Sequence, residues 1–379
     1  MSRVLGTKPR SKPLACLSNG MKRLVFAIPG DLTTSTGGYI YDRRIIEGLQ
    51  GLGWQVQVLG LGEGFPYPDD ATRRAACERL LALDLDVPLV IDGLAFGVLP
   101  EVAARLQQRH PLLALVHHPL AFETGLSAEQ SASFKDSERR ALAHATRVIV
   151  TSPATANDVT KHFAVLPNLI DSILPGTDRV ARAVGTAGKE PLQLLSVGSV
   201  VKRKGFDVLL ASLVNLTALP WQLTIAGDLT RDSEAVSQLH HDLERFQLSS
   251  RVQVLGAVDA EQLEACYARA DIFVLASRFE GYGMAYAEAL AHGLPVIGTT
   301  AGAIPNTVPD TAGLLAEPGD VESLTRALSQ LLQDTDLRQR LSQGAYLAAE
   351  QQPSWTESAS LFSSVIKRAI AEHEKFKQA

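Results

Sequence analysis

The sequence has few features of secreted, membrane-spanning or nucleic-acid-binding proteins. Three cysteines are spread over 379 residues, at Cys16, Cys77 and Cys266, so neither a disulfide framework nor a CxxC zinc site is expected and a reducing compartment fits best. No uninterrupted apolar run reaches the roughly 18 residues of a membrane span. With 36 basic and 41 acidic residues the formal net charge is −5, which gives no general surface for nucleic acid or anionic lipid.

The amino-terminal segment also lacks a targeting signal. Residues 1–20 carry basic side chains but no apolar core, so we expect a disordered tail rather than a signal peptide. The expected location is the cytoplasm. Because the chain has no basic amphipathic face, we expect at most peripheral contact with a membrane, and no nucleic-acid partner.

Motifs that define a metal or cofactor site are missing as well. The chain contains no GxGxxG fingerprint, Walker A loop, HExxH helix, calcium-binding loop, zinc-ligand spacing or GxSxG elbow. Asp84-Leu85-Asp86 matches a D-x-D pattern that binds metal in some enzymes. It precedes a predicted strand, however, and ligands of open parallel sheets bind at the opposite, carboxyl end. We therefore expect neither a bound metal nor a cofactor.

Short β-branched runs alternate with longer helical patterns from about Lys22 onward. This alternation predicts βα units around parallel sheets. The predicted strands are Arg23–Pro29, Trp54–Leu61, Val87–Gly93, Leu112–His118, Arg147–Ser152, Gln193–Gly198, Gln222–Gly227, Val252–Gly256, Asp271–Ser277 and Pro295–Thr299. The predicted helices are Tyr39–Gln50, Asp70–Ala82, Leu99–Gln108, Ser127–Ala143, Phe206–Thr217, Ser233–Phe246, Ala260–Ala268, Met284–His292 and Val321–Leu332.

The alternation stops once, over Asn168–Lys189, where glycine and proline accumulate and periodic apolar residues are few. The fold class is therefore α/β, with two Rossmann-like, doubly wound parallel-sheet domains that face a central cleft. The expected boundaries are 21–170 for the first domain, 171–190 for the linker, 191–352 for the second domain and 353–379 for the carboxy-terminal segment. That last segment contains Trp355 and an amphipathic pattern, Leu361–Phe376, which predicts a packing helix.

Ligands of open parallel sheets bind beyond the carboxyl ends of the strands. In the first half, the loop after the first strand contains Gly37-Gly38, which lets a ligand approach the backbone, and the helix that follows offers free N–H groups. His117-His118 ends a later strand at the same edge of the sheet. A flexible loop and a solvated histidine are the plain alternatives to a ligand site.

Two segments of the second half carry stronger signals. Lys202-Arg203-Lys204 precedes Gly205 and a helix, and basic side chains beside helix N–H groups can bind a diphosphate, although a solvated basic turn has the same pattern. Glu280-Gly281-Tyr282-Gly283 follows a strand, with Glu288 in the next helix. Amides of such a loop can bind sugar hydroxyls or a phosphate, and Glu288 can accept two hydroxyls of a ribose.

These segments resemble the family 4 retaining glycosyltransferases of the GT-B fold. Glu280 and Glu288 match the family's E-x7-E motif, and Gly281–Gly283 match its glycine loop. Three more segments are similar: LPVIGTTAGAIPNTV with AGLLAEPGD, SVGSVVKRKGFDVLL, and TGGYI near the amino terminus. The resemblance is clearest over Gln193–Leu332 and weaker over Lys22–Asn168. It also implies that the carboxy-terminal helix returns to the first domain.

The resemblance implies a role for each matched residue. The implied catalytic residues are Glu280 at the donor sugar, Lys204 at the leaving diphosphate and His117 in the cleft, with His118 as the alternative histidine. The implied donor-binding residues are Arg203, Gly281, Tyr282, Gly283, Glu288, Gly38 and Ser199. Ser199 stands where the family has an arginine, which makes Arg203 a substitute cation. Ala276 and Asn306 also depart from the family pattern, so the donor's identity stays open.

The implied activity is retaining transfer of a hexose from a UDP- or GDP-linked sugar to an acceptor hydroxyl, without a metal. The leaving phosphate would take the acceptor's proton, since no residue stands out as a separate base. The acceptor stays open among a glycan, a lipid-linked sugar and a small metabolite. The alternatives are a GT-B sugar-nucleotide epimerase and a non-catalytic subunit that binds nucleotide sugars.

Overall fold

The structure is a computed structural model that describes residues 22–34 and 36–378. The described chain forms two six-stranded sheets in which the neighbouring strands run parallel. This arrangement confirms the predicted α/β class with two Rossmann-like domains. The predicted disordered tail, residues 1–20, lies outside the described residues.

The first sheet has the strand order β2-β1-β3-β4-β5-β6. Its strands are β1 Lys22–Ile28, β2 Trp54–Gly60, β3 Leu89–Asp92, β4 Leu112–Val116, β5 Arg147–Val150 and β6 Ile170–Ser172. The helices that connect them are α1 Gly37–Gly51, α2 Asp70–Leu81, α3 Gly93–Phe96, α4 Pro100–Leu106, α5 Ala128–Leu142 and α6 Pro153–Phe163. Residues 173–191 then lead to the second sheet without a helix or strand.

The second sheet has the order β12-β11-β10-β7-β8-β9. Its strands are β7 Leu192–Val197, β8 Trp221–Ala226, β9 Val252–Gly256, β10 Ile272–Val274, β11 Val296–Thr299 and β12 Gly313–Ala316. The helices of this half are α7 Phe206–Leu213, α8 Ser233–Arg245, α9 Ala260–Arg269, α10 Met284–Ala291, α11 Ile304–Thr307, α12 Val321–Gln333, α13 Thr335–Glu350 and α14 Trp355–Gln378. In the described part of the chain, the helices are too short or too polar to span a bilayer.

Both faces of the first sheet are covered at its centre, which explains why β3 and β4 are buried throughout, whereas the edge strand β2 alternates and is partly exposed. Val25 and Ala27 of β1 belong to one core cluster, while Leu24 and Phe26 belong to another on the opposite face. A sheet buried in this way presents its loops only at the strand ends. The polar loops at the carboxyl ends are therefore the places where a ligand can reach the domain.

The last helix, α14, returns to the first domain. Phe362 of α14 stacks on Phe26 with ring centroids 6.3 Å apart, and the Trp54 indole N–H donates to the Ser363 hydroxyl at 2.9 Å. The Arg147 guanidinium binds the Glu372 carboxylate near the other end of the helix. The chain thus crosses from the second domain to the first, and α14 closes one face of the first sheet.

The predicted linker, 171–190, begins too early. Ile170–Ser172 forms β6, whose residues pair with Val148–Val150 at the edge of the first sheet. Because this strand has three residues and no alternating apolar pattern, its sequence resembles a loop. Two longer elements were also not predicted, α6 and α13, and the last helix begins at Trp355 rather than Leu361.

Candidate functional site

The carboxyl edges of the two sheets meet at a cleft that contains the predicted segments. A Cβ on Gly281 would overlap the backbone carbonyl oxygen of His117, so the glycine loop of the second domain lies directly on the first. The Thr155 hydroxyl donates to the Gly281 carbonyl at 3.2 Å. A Cβ on Gly37 would lie 3.7 Å from the Met284 sulfur. The fold therefore brings the motifs of both halves to one place.

The basic segment Lys202–Lys204 is a single 3-10 turn after β7. Gly205 ends it with φ +68°, and a side chain there would overlap the Ala276 carbonyl oxygen. Arg278 fixes the turn from the other side: its backbone N–H donates to the Arg203 carbonyl at 2.7 Å, and its guanidinium binds Asp207 at 2.6 and 2.9 Å. The positions of the two cleft cations are thus set by the backbone.

Glu280 is the centre of the second domain's charged cluster. Its Oε1 accepts from Lys204 Nζ at 2.7 Å and from the Ser277 hydroxyl at 2.6 Å, and its Oε2 accepts from Arg203 Nη1 at 2.9 Å. Only 6% of the residue is exposed. Both carboxylate oxygens are therefore engaged by cations and a hydroxyl, and the role predicted for Glu280 at a donor sugar stays a prediction.

Burial and ion pairing act in opposite directions on this cluster. Burial alone would raise the pKa of Glu280, but Lys204, Arg203 and the Ser277 hydroxyl hold it at about 2. Burial, with Arg203 nearby, lowers the pKa of Lys204 despite its contact with Glu280. A buried carboxylate that stays charged needs such partners, because removing one would leave an uncompensated charge.

The other residues predicted to bind the donor lie around the cluster formed by Glu280, Lys204 and Arg203. Ser199 follows Gly198, and a Cβ on Gly198 would lie 3.1 Å from Lys204 Cε. The Tyr282 carbonyl accepts from the Thr307 hydroxyl at 2.7 Å, and burial raises the pKa of the Tyr282 phenol to about 12. Gly283 caps the start of α10 at φ +89°, a conformation that favours glycine.

Glu288 lines a cavity of about 240 Å³ between the domains. Its Oε2 accepts from the Tyr267 hydroxyl at 2.8 Å, and burial raises the pKa of its carboxyl. Tyr267 in turn stacks on His292, with centroids 4.7 Å apart. The cavity is also lined by Arg44 of α1, Asp178 of the linker, and Leu263 and Glu264 of α9 among others. The role predicted for Glu288 at the ribose of the donor stays a prediction.

The first domain contributes His117, which lies against Gly38. A Cβ on Gly38 would lie 3.3 Å from the His117 ring. The ring's Nε2 lies 3.2 Å from Asp42 Oδ1 and 3.4 Å from Asp92 Oδ2, and both aspartates are buried. Among the described residues, these three form a group whose ligand atoms lie within 4.8 Å of one another and could hold a metal ion.

His118 points to a different partner. Its Nε2 lies 3.1 Å from Glu123 Oε2, and Glu123 Oε1 lies 3.5 Å from Arg203 Nε of the second domain. Burial alone would raise the pKa of Glu123, but His118 and Arg203 hold it at about 2. The two adjacent histidines therefore serve separate networks, and only that of His118 continues to Arg203.

Four of these residues were not predicted from the sequence: Asp42, Asp92, Glu123 and Tyr267. Asp92 ends β3 at the carboxyl edge, so the same rule that selected His117 could have found it. Asp42 is a charge on the buried face of α1, among Tyr41, Ile45 and Ile46, which is an unusual position. Glu123 and Tyr267 have no comparable signal, because their partners belong to other segments of the chain.

The D-x-D tripeptide lies away from the cleft. The Arg23 guanidinium contacts Asp84 at 3.2 Å, and Lys377 of α14 contacts Asp86. Both aspartates thus pair with cations at the amino edge of the first sheet, beside the carboxy-terminal helix. The structure gives this tripeptide a packing contact rather than a place in the site.

The fold and the cleft define a GT-B protein, and comparison with known proteins agrees. The family model "Glycosyl transferases group 1" matches residues 178–348, which include Lys204, Glu280 and Glu288. An MMP alpha-(1->4)-mannosyltransferase of Mycolicibacterium hassiacum is 27% identical over 325 residues, covering 81% of this chain and 77% of that protein. The chain is therefore similar to glycosyltransferases over most of its length, and its second half carries the family match.

Further relatives and solved structures extend the comparison. A GDP-mannose-dependent monoacylated alpha-(1-6)-phosphatidylinositol monomannoside mannosyltransferase of Corynebacterium glutamicum is 33% identical over 165 residues, covering 41% of this chain and 42% of that protein. Sucrose-phosphate synthase from Thermosynechococcus elongatus superposes with TM-score 0.78 at 22% identity, covering 92% and 99% of the two chains. Anabaena HepE in complex with UDP and glucose has TM-score 0.71 at 18% identity, covering 92% and 99%. These structural matches confirm the GT-B fold.

Proposed function

We propose that this protein transfers a hexosyl unit from a nucleoside diphosphate sugar to an acceptor hydroxyl with retention of configuration. The observation that carries the proposal is the convergence of Lys204 and Arg203 on Glu280 at the cleft. Two cations there share one carboxylate of their own domain, so the second domain's side of the cluster has an excess of positive charge. A diphosphate that enters the cleft meets donors already held in place.

The donor is a nucleotide sugar with UDP or GDP as its carrier. HepE was solved with UDP and glucose, and one relative is named as GDP-mannose-dependent. In this chain the cavity at Glu288 and Tyr267 offers a carboxylate for the ribose hydroxyls. The Lys202–Lys204 turn, on the same edge of the second sheet, offers cations for the phosphates.

The chemistry follows from where charge develops. As the glycosyl–phosphate bond breaks, negative charge grows on the diphosphate while the sugar becomes oxocarbenium-like. A preorganised donor aimed at such charge contributes roughly 3 kcal/mol to the rate. Lys204 and Arg203 serve this purpose without a metal, and the leaving phosphate takes the proton of the acceptor hydroxyl. Enclosure between the two domains limits hydrolysis of the donor.

A first experiment identifies the donor and tests turnover. The shift in melting temperature is measured with UDP, GDP and their common hexose conjugates, and release of nucleoside diphosphate is then followed with candidate acceptors. Lys204→Ala is expected to lower turnover by about 100- to 1,000-fold. Lys202→Ala is the matched control, since Lys202 lies in the same turn but contacts Glu234 at 2.8 Å, away from the cluster.

The same assay separates the two rival functions. An epimerase would consume the donor without an acceptor and return an isomeric sugar. A non-catalytic subunit would bind the nucleotide sugar without turnover. If Lys204→Ala and Lys202→Ala were equally active in a folded preparation, the assignment of this cluster to transfer would be wrong.

Stereochemistry and metal dependence need separate measurements. The anomeric configuration of the purified product, determined from its proton NMR coupling constant and compared with that of the donor, tests retention. Initial rates with excess EDTA and with added Mg²⁺ test metal independence, for which we expect equal rates. A rate that falls with EDTA and returns with a divalent cation would contradict the proposed role of the two cations.

A further inference from the structure

The ring of His117 is held by two buried carboxylates that belong to different elements. Asp42 comes from α1 and Asp92 from the end of β3, and both contact the same ring nitrogen, Nε2, at 3.2 and 3.4 Å. Asp42 is fully buried and 2% of Asp92 is exposed. A single N–H directed between two carboxylate oxygens can neutralise both only in part, so the arrangement favours a charged ring.

The two aspartates accept few hydrogen bonds from groups other than His117. Asp42 Oδ2 is enclosed and has no hydrogen-bond partner among the described residues. Asp92 Oδ1 accepts the backbone N–H of Leu94 at 2.8 Å, where it caps α3, which leaves Oδ2 facing His117. Nε2 therefore keeps its proton in either charge state of the ring, and the two buried negative charges beside it favour the charged form, in which Nδ1 is protonated as well.

The second ring nitrogen, Nδ1, is free for a ligand. It has no hydrogen-bond partner in the described part of the chain, and it is not among the enclosed polar atoms. The ring lies against Gly38 of the glycine loop, and its backbone carbonyl lies beneath Gly281 of the facing domain. Nδ1 is thus the accessible polar atom of a side chain whose backbone lies at the contact between the two domains.

We propose that Asp42 and Asp92 are positioning residues that keep His117 as an imidazolium, so that Nδ1–H is a permanent hydrogen-bond donor to an oxygen of the bound sugar nucleotide. In this state His117 donates a hydrogen bond from Nδ1 and accepts none. It therefore cannot act as the general base that removes the proton from the acceptor hydroxyl. The role in transfer rests on the proposed function, whereas the protonation state of the ring does not.

The surrounding charges support this state over a broad pH range. Burial alone would lower the pKa of His117, but Asp42 and Asp92 raise it to about 10. Burial raises the pKa of Asp42 to about 6, against the opposing effect of His117. Arg43 on α1 acts on Asp42, and the Tyr39 and Tyr41 phenols, also on α1, stay neutral because burial raises their pKa values. The triad of two carboxylates and one imidazolium is expected between about pH 6 and pH 10.

The first test measures the ring itself. The full-length protein, labelled with ¹⁵N-histidine, is examined by two-bond ¹⁵N–¹H correlation from pH 5.5 to 9.5, and His117→Gln identifies the His117 signals. We expect both nitrogens of His117 to stay protonated up to pH 9. Deprotonation of the wild-type ring with a midpoint near 6.5 would overturn the proposal without recourse to any further variant.

The second test removes one carboxylate. Asp42→Asn is expected to lower the midpoint of His117 by at least about one pH unit, because one of two adjacent negative charges is lost. Asp31→Asn, on the exposed loop before α1, is the matched control and should leave the midpoint unchanged. An unchanged midpoint in folded Asp42→Asn would show that the carboxylate does not hold the proton.

The activity measurement is independent of the spectra. In the wild type, diphosphate release should be nearly constant from pH 7 to 9, whereas Asp42→Asn should lose at least about two-fold over that range as its ring deprotonates. If no donor and acceptor support turnover, the proposed function fails while the NMR result still stands.

Zn²⁺ at one equivalent should leave the His117 signals in place; a shift to a metal-bound nitrogen would overturn the proposal in favour of a metal site.

Discussion

Arg203 Nε lies 3.5 Å from Glu123 Oε1, so an ion pair spans the cleft between the two domains. Glu123 also pairs with His118, and Arg203 pairs with Glu280, which makes the contact part of a continuous charged network. The same guanidinium is proposed to meet the donor's diphosphate. Arg203 therefore contributes both to the contact that holds the two domains together and to the proposed binding of the donor.

We expect Glu123→Gln to weaken the closed arrangement, because Arg203 loses its partner on the first domain. Small-angle scattering should show a larger radius of gyration than that of the wild type without ligand. Glu101→Gln is the control, since the Glu101–Arg140 pair at 2.6 Å lies within the first domain. Equal radii for the two variants would show that the Arg203–Glu123 pair does not hold the domains together.

The same pair should be lost only in strong acid. The pKa of Glu123 is depressed to about 2 in the folded protein, so its contribution is present above the ordinary value of 4.5 and is lost as pH falls through about 2. Scattering of the wild type should therefore be constant between pH 8 and pH 5. Expansion that is complete at pH 5 would contradict the depressed pKa.

Gly281→Ala should prevent the glycine loop from resting on the first domain, because the new Cβ overlaps the His117 carbonyl oxygen. A displacement of about 1 Å in a reacting group costs up to about 100-fold in rate, and we expect a loss of that order in kcat/KM. Gly60→Ala, where a Cβ meets open space, should retain activity. Wild-type rates in Gly281→Ala would mean that the observed approach is not needed for turnover.

Glu138 should make the folded protein less stable as the pH rises, which is the opposite of the effect expected for Glu123. Its carboxylate is buried and accepts the N–H groups of Leu120 and Ala121 at 2.7 and 3.0 Å, but burial still raises its pKa to about 7. The folded protein then binds more protons than the unfolded chain. Its stabilising contribution is complete below pH 4.5 and falls by up to about 3 kcal/mol as pH rises through 7.

Chemical denaturation at several pH values checks this expectation. The wild type should lose free energy of unfolding between pH 5 and pH 8, and Glu138→Gln should lose less because its side chain does not titrate. Glu129→Gln, at the exposed start of α5, is the control and should follow the wild type. Parallel curves for wild type and Glu138→Gln would refute the raised pKa.

The sheets were predictable because their strands carry buried, β-branched runs. The position of the charged cluster was predictable for the same reason, since Lys204 and Glu280 follow two strands of one sheet at its carboxyl edge. α6 carries a usable signal at its start, since Ser152 caps its first turn and Pro153 is its first residue. β6 carries almost none, because three residues cannot show a period.

Partners from different elements could not be predicted in this way. The contact of Asp42 with His117 depends on how α1 rotates against β4, and that of Arg203 with Glu123 depends on how the domains face each other. Neither the rotation of α1 nor the orientation of the domains can be predicted from the spacing of residues within one segment. A buried charge in a helix, such as Asp42, indicates only that a partner exists, and the structure is needed to identify it.

Gly48 of α1 supports the return of α14 to the first domain, since a Cβ on Gly48 would overlap the Cβ of Ala359. Gly48→Ala should therefore force the two helices apart and destabilise the protein by about 1–3 kcal/mol, as overpacked cores do. Chemical denaturation measures the loss. Gly51→Ala, in the same helix with open space around it, should be neutral or stabilising.

A second substitution tests whether contact between positions 48 and 359 causes the loss of stability expected for Gly48→Ala. Ala359→Gly removes the methyl group that Gly48→Ala would strike, although it has a helix-propensity cost of its own of about 1 kcal/mol. In the double variant the two changes should be less destabilising than the sum of the single ones, because the steric conflict is gone. Strict additivity would show that α1 and α14 do not meet at this point, and that the carboxy-terminal helix is held to the first domain by its other contacts.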